Sequence, residues 1–151
     1  MGEHKSIEIL SGTGIYNHPV WSPDSMKIAY DYAPEDFPND VWTKDVQPEI
    51  GVSNKLTSAF QSDSTPEWSP DDKNIAFQSY RTGNWDIWLT SSDKSSEPVQ
   101  LTTDTNTDQA PVWSPDGKEI AFSVYRPCRA YKTTDASVCC SNNISFGFHS
   151  S

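Results

Sequence analysis

Three histidines, His4, His18 and His149, and three cysteines, Cys128, Cys139 and Cys140, are the side chains of this 151-residue chain best suited to metal or nucleophilic chemistry. Their spacing does not deliver it. A zinc site needs ligands at short fixed intervals, such as His-x-x-x-His or paired Cys-x-x-Cys, so that several lone pairs converge on one ion. Here the histidines are far apart, and the cysteines are odd in number with two adjacent, which fits neither a zinc site nor a disulfide framework. No Gly-x-Ser-x-Gly elbow exposes a serine nucleophile, and no Gly-x-x-x-x-Gly-Lys-(Ser/Thr) loop cradles a phosphate. No catalytic, cofactor-binding or metal-binding residue is assigned, and the chain is expected not to be an enzyme.

Recognition is the other chemistry on offer. Phe37, Phe60, Tyr80 and Arg81 are of the types that anchor protein interfaces, and they stand in stretches rich in turn formers. Asp63, Asn84 and Asp108 complete the candidates for partner contact. Asp36, Asp63 and Asp108 are read mainly as solvated loop acids, with a place at the mouth of a central channel as the alternative. The formal charge of −10, from 11 basic and 21 acidic side chains, argues against a nucleic-acid backbone or an anionic membrane as partner. The chain contains no run of eighteen apolar residues and no apolar N-terminal stretch, so neither a membrane-spanning helix nor a secretory signal is expected within it.

The elements that must position these residues are announced by a repeat. Trp21-Ser22-Pro23-Asp24, Trp68-Ser69-Pro70-Asp71 and Trp113-Ser114-Pro115-Asp116 each follow a proline by two residues and lead into Ile-Ala-(Phe/Tyr). The tryptophans are 47 and then 45 residues apart. A period of that size with short strands and turns points to a propeller or another repeat array. Each copy reads as a tight hairpin: proline presets the turn, aspartate bonds to amides further on, and Gly117 supplies a positive φ. Ser25 and Asp72 stand in the place of that glycine, so their turns carry some strain. The three tryptophans are assigned to packing between blades, because no single hairpin can bury so large an apolar face.

The unit Pro-x-Trp-Ser-Pro-Asp-Gly-x-x-Ile-Ala-Phe resembles the WD40-like PD40 repeat of TolB-type β-propellers, which also occurs in propellers attached to prolyl-oligopeptidase-type and tricorn-type peptidases. The fullest copy continues through Arg81-Thr82-Gly83-Asn84-Trp85-Asp86-Ile87-Trp88 to Leu101-Thr102. The resemblance implies an all-β chain: a partial propeller of four-stranded antiparallel blades, six-bladed in the parent family. Strands are expected near 17–21, 27–32, 40–45 and 54–57 in one blade, and near 65–68, 74–79, 85–90 and 98–102 in the next. A third blade begins with strands near 110–113 and 119–124. Residues 1–10 are assigned to the outer strand of a preceding blade, 11–58 and 59–103 to blades, 104–126 to the start of a third, and 127–151 to an irregular tail.

In such a blade the Ser-Pro-Asp turns gather at one end of the strands. The second-to-third loops and the blade crossings then gather at the other end, and those are the segments that differ between copies. By resemblance the chain is a non-catalytic scaffold that binds a protein through this loop-bearing face, as in the Tol-Pal envelope system, and is periplasmic or exported. Copies of the chain joining to close the ring are a further expectation. The alternative reading is the substrate-gating propeller of a serine peptidase whose catalytic domain lies outside this sequence.

Overall fold

The computed structural model describes residues 10–46 and 51–126 and the strand at 144–150. The first sheet is antiparallel, with β1 (Ile15–Trp21), β2 (Lys27–Ala33), β3 (Asp40–Asp45) and β4 (Ser53–Lys55) in sequence order. The second repeats it with β5 (Asp63–Trp68), β6 (Asn74–Ser79), β7 (Asp86–Ser91) and β8 (Val99–Gln100). The third contains β9 (Thr107–Trp113), β10 (Glu119–Tyr125) and β11 (Ile144–Ser150). All described regular elements are strands, and no helix among the described residues is long and apolar enough to cross a membrane.

The sheets stack face on face as propeller blades. Ala29, Val41 and Leu56 of the first meet Trp68, Ile75 and Phe77 of the second. Ala76 and Ile87 of the second, with Leu101 beside them, meet Trp113, Ile120 and Phe122 of the third. Burial of these facing side chains, at roughly 1.5–3 kcal/mol for each large one, is what joins the blades. The homologous tryptophan of the first blade, Trp21, is 54% exposed, whereas Trp68 and Trp113 are buried. The packing role expected of all three is thus seen in two, because only the second and third blades have a described blade in front of them.

The three Ser-Pro-Asp turns share one geometry. Ser22, Ser69 and Ser114 donate through Oγ to the aspartate two residues on, at 2.7, 2.7 and 2.8 Å, and accept the amide of Lys27, Asn74 or Glu119 at 2.9 Å. Asp24, Asp71 and Asp116 accept the amides of Met26, Lys73 and Lys118. Ser25, Asp72 and Gly117 stand at φ 61°, 62° and 70°, so serine and aspartate are held in the conformation that glycine adopts freely.

Five strands, the three inner and the two outer, differ most from the limits read in the sequence. β1, β5 and β9 begin earlier, at Ile15, Asp63 and Thr107, because each inner strand contains a bulge that lets pairing resume on its far side. The outer strands stop before Leu56-Thr57 and Leu101-Thr102. There a threonine hydroxyl replaces the ladder, accepting the amide of Val41 or Ile87 at 3.0 Å. The irregular tail expected for 127–151 is corrected at Ile144–Ser150, which pairs along the whole of β10. Ile144, Phe146 and Phe148 alternate with small or polar residues, a period-two pattern that suits an open strand edge. The outer strand expected within residues 1–10 lies, but for Leu10, outside the described residues, as do 127–143.

Candidate functional site

The loop-bearing end of the blades is a connected rim. Asp63 donates its amide to Asn39 O at 2.8 Å, Tyr80 to Ser62 O at 3.0 Å, and Asp108 to Trp85 O at 2.7 Å. Asn84 Nδ2 holds the next crossing through Asp104 O at 3.1 Å and Asn106 O at 2.6 Å. Loops and crossings therefore alternate along one ordered lip, while the Ser-Pro-Asp turns lie at the opposite end, where Asp24 donates its amide to Asp72 Oδ1.

The candidates from sequence separate into two groups here. Phe60 is fully exposed, Phe37 is 68% exposed, and Tyr80 leans edge-on against Trp85 with its ring partly open. Glu35, Asp36 and Asp104 are exposed acids on the same rim. Arg81, Asp63, Asn84 and Asp108 are drawn inward instead. Arg81 Nη2 lies 2.8 Å from Asp63 Oδ2, its Nε donates to Ser79 Oγ, and its guanidinium lies 4.3 Å from the Trp88 ring centre. Asp63 and Asp108 are buried at 0% and 1% exposure, which corrects their reading as solvated loop acids. The strand pairing reaches them, and the backbone bonds to Asn39 and Trp85 fix them beneath the loops.

Burial shifts the ionisation of Asp108 and Asp40. It raises the Asp108 pKa, against the pull of the Thr102 hydroxyl, with the charges of Asp104 and Asp86 adding to the rise and Arg126 opposing it. Burial likewise raises Asp40, even with Lys55 Nζ 2.6 Å away. Asp86, at the place of Asp40 in the second blade, takes Thr82, Asn84 and the Gln100 amide in place of a cation. At the other end Asp24, Asp71 and Asp116 are lowered, first by the serine hydroxyl of each turn and then by the backbone amide.

A cross-blade clamp escaped the sequence reading. Asp31 Oδ1 accepts the Thr65 amide of the next blade at 3.2 Å, and Gln78 Oε1 accepts the Ala110 amide at 3.0 Å. Each accepting side chain follows the Ile-Ala-aromatic triplet, and each donor precedes the repeat proline, so position in the repeat was the available signal. His18 occupies the donor position in the first blade, with Nδ1 2.6 Å from Asp31 Oδ1. His18, Thr65 and Ala110 all have positive φ, at 47°, 51° and 53°, so this strain belongs to the repeat and marks no special chemistry at the histidine. Among the described residues no three His, Cys, Asp or Glu side chains converge as metal ligands. A cavity of about 220 Å³ on the first blade is lined by Tyr16, Tyr30, Tyr32, Trp42 and Lys44. It opens on the face turned away from the second blade.

The family model of the TolB beta propeller domain, PD40, matches residues 3–142. An uncharacterized protein of Agrobacterium fabrum, Atu1656, is 35% identical over 85 residues, which are 56% of this chain and 27% of that protein. Among solved structures, a TolB-like protein of Agrobacterium tumefaciens superposes with a TM-score of 0.65 at 29% identity, covering 74% of this chain and 38% of its own. TolB of Acinetobacter baumannii gives 0.65 at 28% identity, over 77% of this chain and 28% of its own. A puromycin-hydrolyzing peptidase of Mycobacterium tuberculosis also gives 0.65, at 17% identity, over 80% of this chain and 22% of its own, a likeness of fold alone. The chain thus spans well under half the length of each of these proteins.

Proposed function

The chain belongs to the TolB β-propeller family of PD40 repeats, and from that premise we propose that it is a non-catalytic scaffold binding a protein partner through the loop-bearing rim. The observation that carries this reading is Phe60, fully exposed on a lip whose backbone is tied down on both sides, with Phe37 likewise exposed nearby in sequence order along the rim. Large exposed aromatics on an ordered surface lose little entropy on binding and gain much by burial, which is why such residues dominate interfaces. Glu35 and Asp36 beside Phe37, and Asp104 on the next crossing, give the rim negative charge, while Arg81 is committed to Asp63. A partner with a basic edge and apolar anchors suits this surface.

By family the partner belongs to the Tol-Pal system of the bacterial envelope, which makes the compartment periplasmic or exported. Likeness to the peptidase propellers supports the fold only, and no residue described here favours the gating role over the scaffold. A ring closed by further copies of the chain is part of the same proposal, with the exposed face around Trp21 as the contact.

Binding of the soluble domains of the Agrobacterium and Acinetobacter Pal proteins to the immobilised chain tests the reading. Phe37→Ser with Phe60→Ser is expected to weaken binding about ten-fold or more. Met26→Ser, at the opposite end and 49% exposed, leaves it unchanged. No binding by the unaltered chain, or equal loss in both variants, would reject the rim as the binding surface.

A further inference from the structure

The second blade locks its rim with an ion pair, and the third carries the same parts unassembled. Asp63 stands opposite Ser79 across the first two strands of its sheet, and Arg81 follows Ser79 by two residues. Asp108 stands opposite Val124 in the same register, and Arg126 follows Val124 by two residues. The first blade pairs Tyr16 with Tyr32 at these places, and the two rings stack at 4.5 Å in place of an ion pair. Proline 34 stands where the arginine would be, so the acid and the arginine are lost together in the one blade without the latch.

Charge balance gives a second, independent reason. The junction of the first and second blades holds three buried carboxylates, Asp31, Asp40 and Asp63; Lys55 and Arg81 are bonded to the latter two, and Asp31 takes His18 Nδ1 and the Thr65 amide. At the next junction Asp86 and Asp108 are as deeply buried, but Gln100 replaces the lysine. Exposed Asp104 adds to the negative field there. Asp63 and Asp40 each place one carboxylate oxygen on a cation, whereas no cation is within bonding distance of Asp108 among the described residues. Arg126 is exposed, and no hydrogen bond or ion pair holds it among the described residues. A buried carboxylate with no cation bonded to it is costly, and Arg126, the cation acting on Asp108, stands two residues beyond Val124.

We infer that Asp108 is the receptor for the Arg126 guanidinium, and that Arg126 closes over the third blade as Arg81 closes over the second. The closed latch fixes the end of β10 at the rim and completes the lip beyond Asp104 and Asn106.

The test is a double-mutant cycle on the full chain in urea, with Asp108→Asn, Arg126→Gln and the pair, beside a reference cycle of Asp63→Asn and Arg81→Gln. A latch gives coupling of about ten-fold in the unfolding constant in both cycles. Because Arg126 is exposed and Arg126→Gln leaves the core intact, a second readout uses that variant alone. The Asp108 carboxyl carbon, followed by NMR, titrates at higher pH in Arg126→Gln than in the unaltered chain. Additive effects at 108 and 126 with coupled effects at 63 and 81, or an Asp108 titration indifferent to Arg126→Gln, would overturn the inference.

Discussion

Ser25 and Gly117 occupy one position of one turn in two blades, and exchanging them measures the strain stored there. An L-residue in the left-handed region costs roughly 1–2 kcal/mol. Glycine forfeits about 0.5–1 kcal/mol of that gain because its unfolded chain is freer. Replacing Ser25, at φ 61°, by glycine should therefore stabilise the chain by about 0.5–1 kcal/mol. Nothing in the turn hydrogen-bond network is lost, since the bonds run through Ser22, Asp24 and the backbone. The converse, Gly117→Ser, should cost a similar amount. A Cβ there would meet Pro70 Cδ at 3.6 Å, an ordinary contact, so the penalty comes from the backbone alone. With an m-value of about 2 kcal/mol/M, the urea midpoint would rise by about 0.25–0.5 M in the first variant and fall equally in the second. Asp72→Gly serves as the internal control, because Asp72 Oδ1 accepts the Asp24 amide and its loss offsets the gain. A lower midpoint in Ser25→Gly, or no change in Gly117→Ser, would refute the claim that the three turns are one strained unit.

Trp68→Ala should cost about 3–5 kcal/mol in urea unfolding, whereas Trp21→Ala, at a half-exposed position, costs under about 1 kcal/mol. Light scattering of Trp21→Ser should also show less self-association than the unaltered chain; equal mass distributions would remove that face as a contact between copies. Gln78→Ala strands the Ala110 amide and should destabilise the chain by about 1–3 kcal/mol, with faster hydrogen exchange at Ala110 as the local signature. The depressed acids of the three turns contribute stability that is fully present above the ordinary aspartate value near 4 and is lost as pH falls through their lower folded values. Changing Ser22, Ser69 and Ser114 to alanine removes the largest cause of that depression. The triple variant should therefore lose less of its urea midpoint than the unaltered chain between pH 6 and pH 3, and an equal loss would contradict the assignment.

The turns were legible because their chemistry is local: serine, proline and aspartate within four residues fix both the reversal and its hydrogen bonds. The blade stacking was legible because tryptophan, isoleucine and an aromatic recur at one place and cannot be buried alone. The buried acids were not. Aspartate in a polar stretch ordinarily reads as solvated, and only the pairing register and the Asn39 and Trp85 carbonyls reveal that Asp63 and Asp108 lie under the loops. Arg81 was singled out as an interface anchor, yet a carboxylate and an indole lie close enough to claim it. The clamp made by Asp31 and Gln78 was hidden for another reason. Its donors are His18's counterparts Thr65 and Ala110, three unlike side chains whose shared property is a backbone angle. The residue before a proline is ordinarily extended, so sequence rules point away from that angle.

The extra residue in each inner strand decides how the blades tolerate insertion and deletion. Ser64 pairs with Gln78 and Glu67 with Ala76, three steps on one strand against two on the other, and the other two blades do the same. Asp63 and Trp68 are five positions apart, an odd number that would send them to opposite sides of a regular strand. The added residue makes the count even, so the acid beneath the rim and the indole of the junction share one face. Losing that one added residue would leave four positions in a regular strand, with the acid and the indole still on one face and only the bulge gone. Losing a second would leave three, reverse the parity of the strand and turn the acid out of the junction.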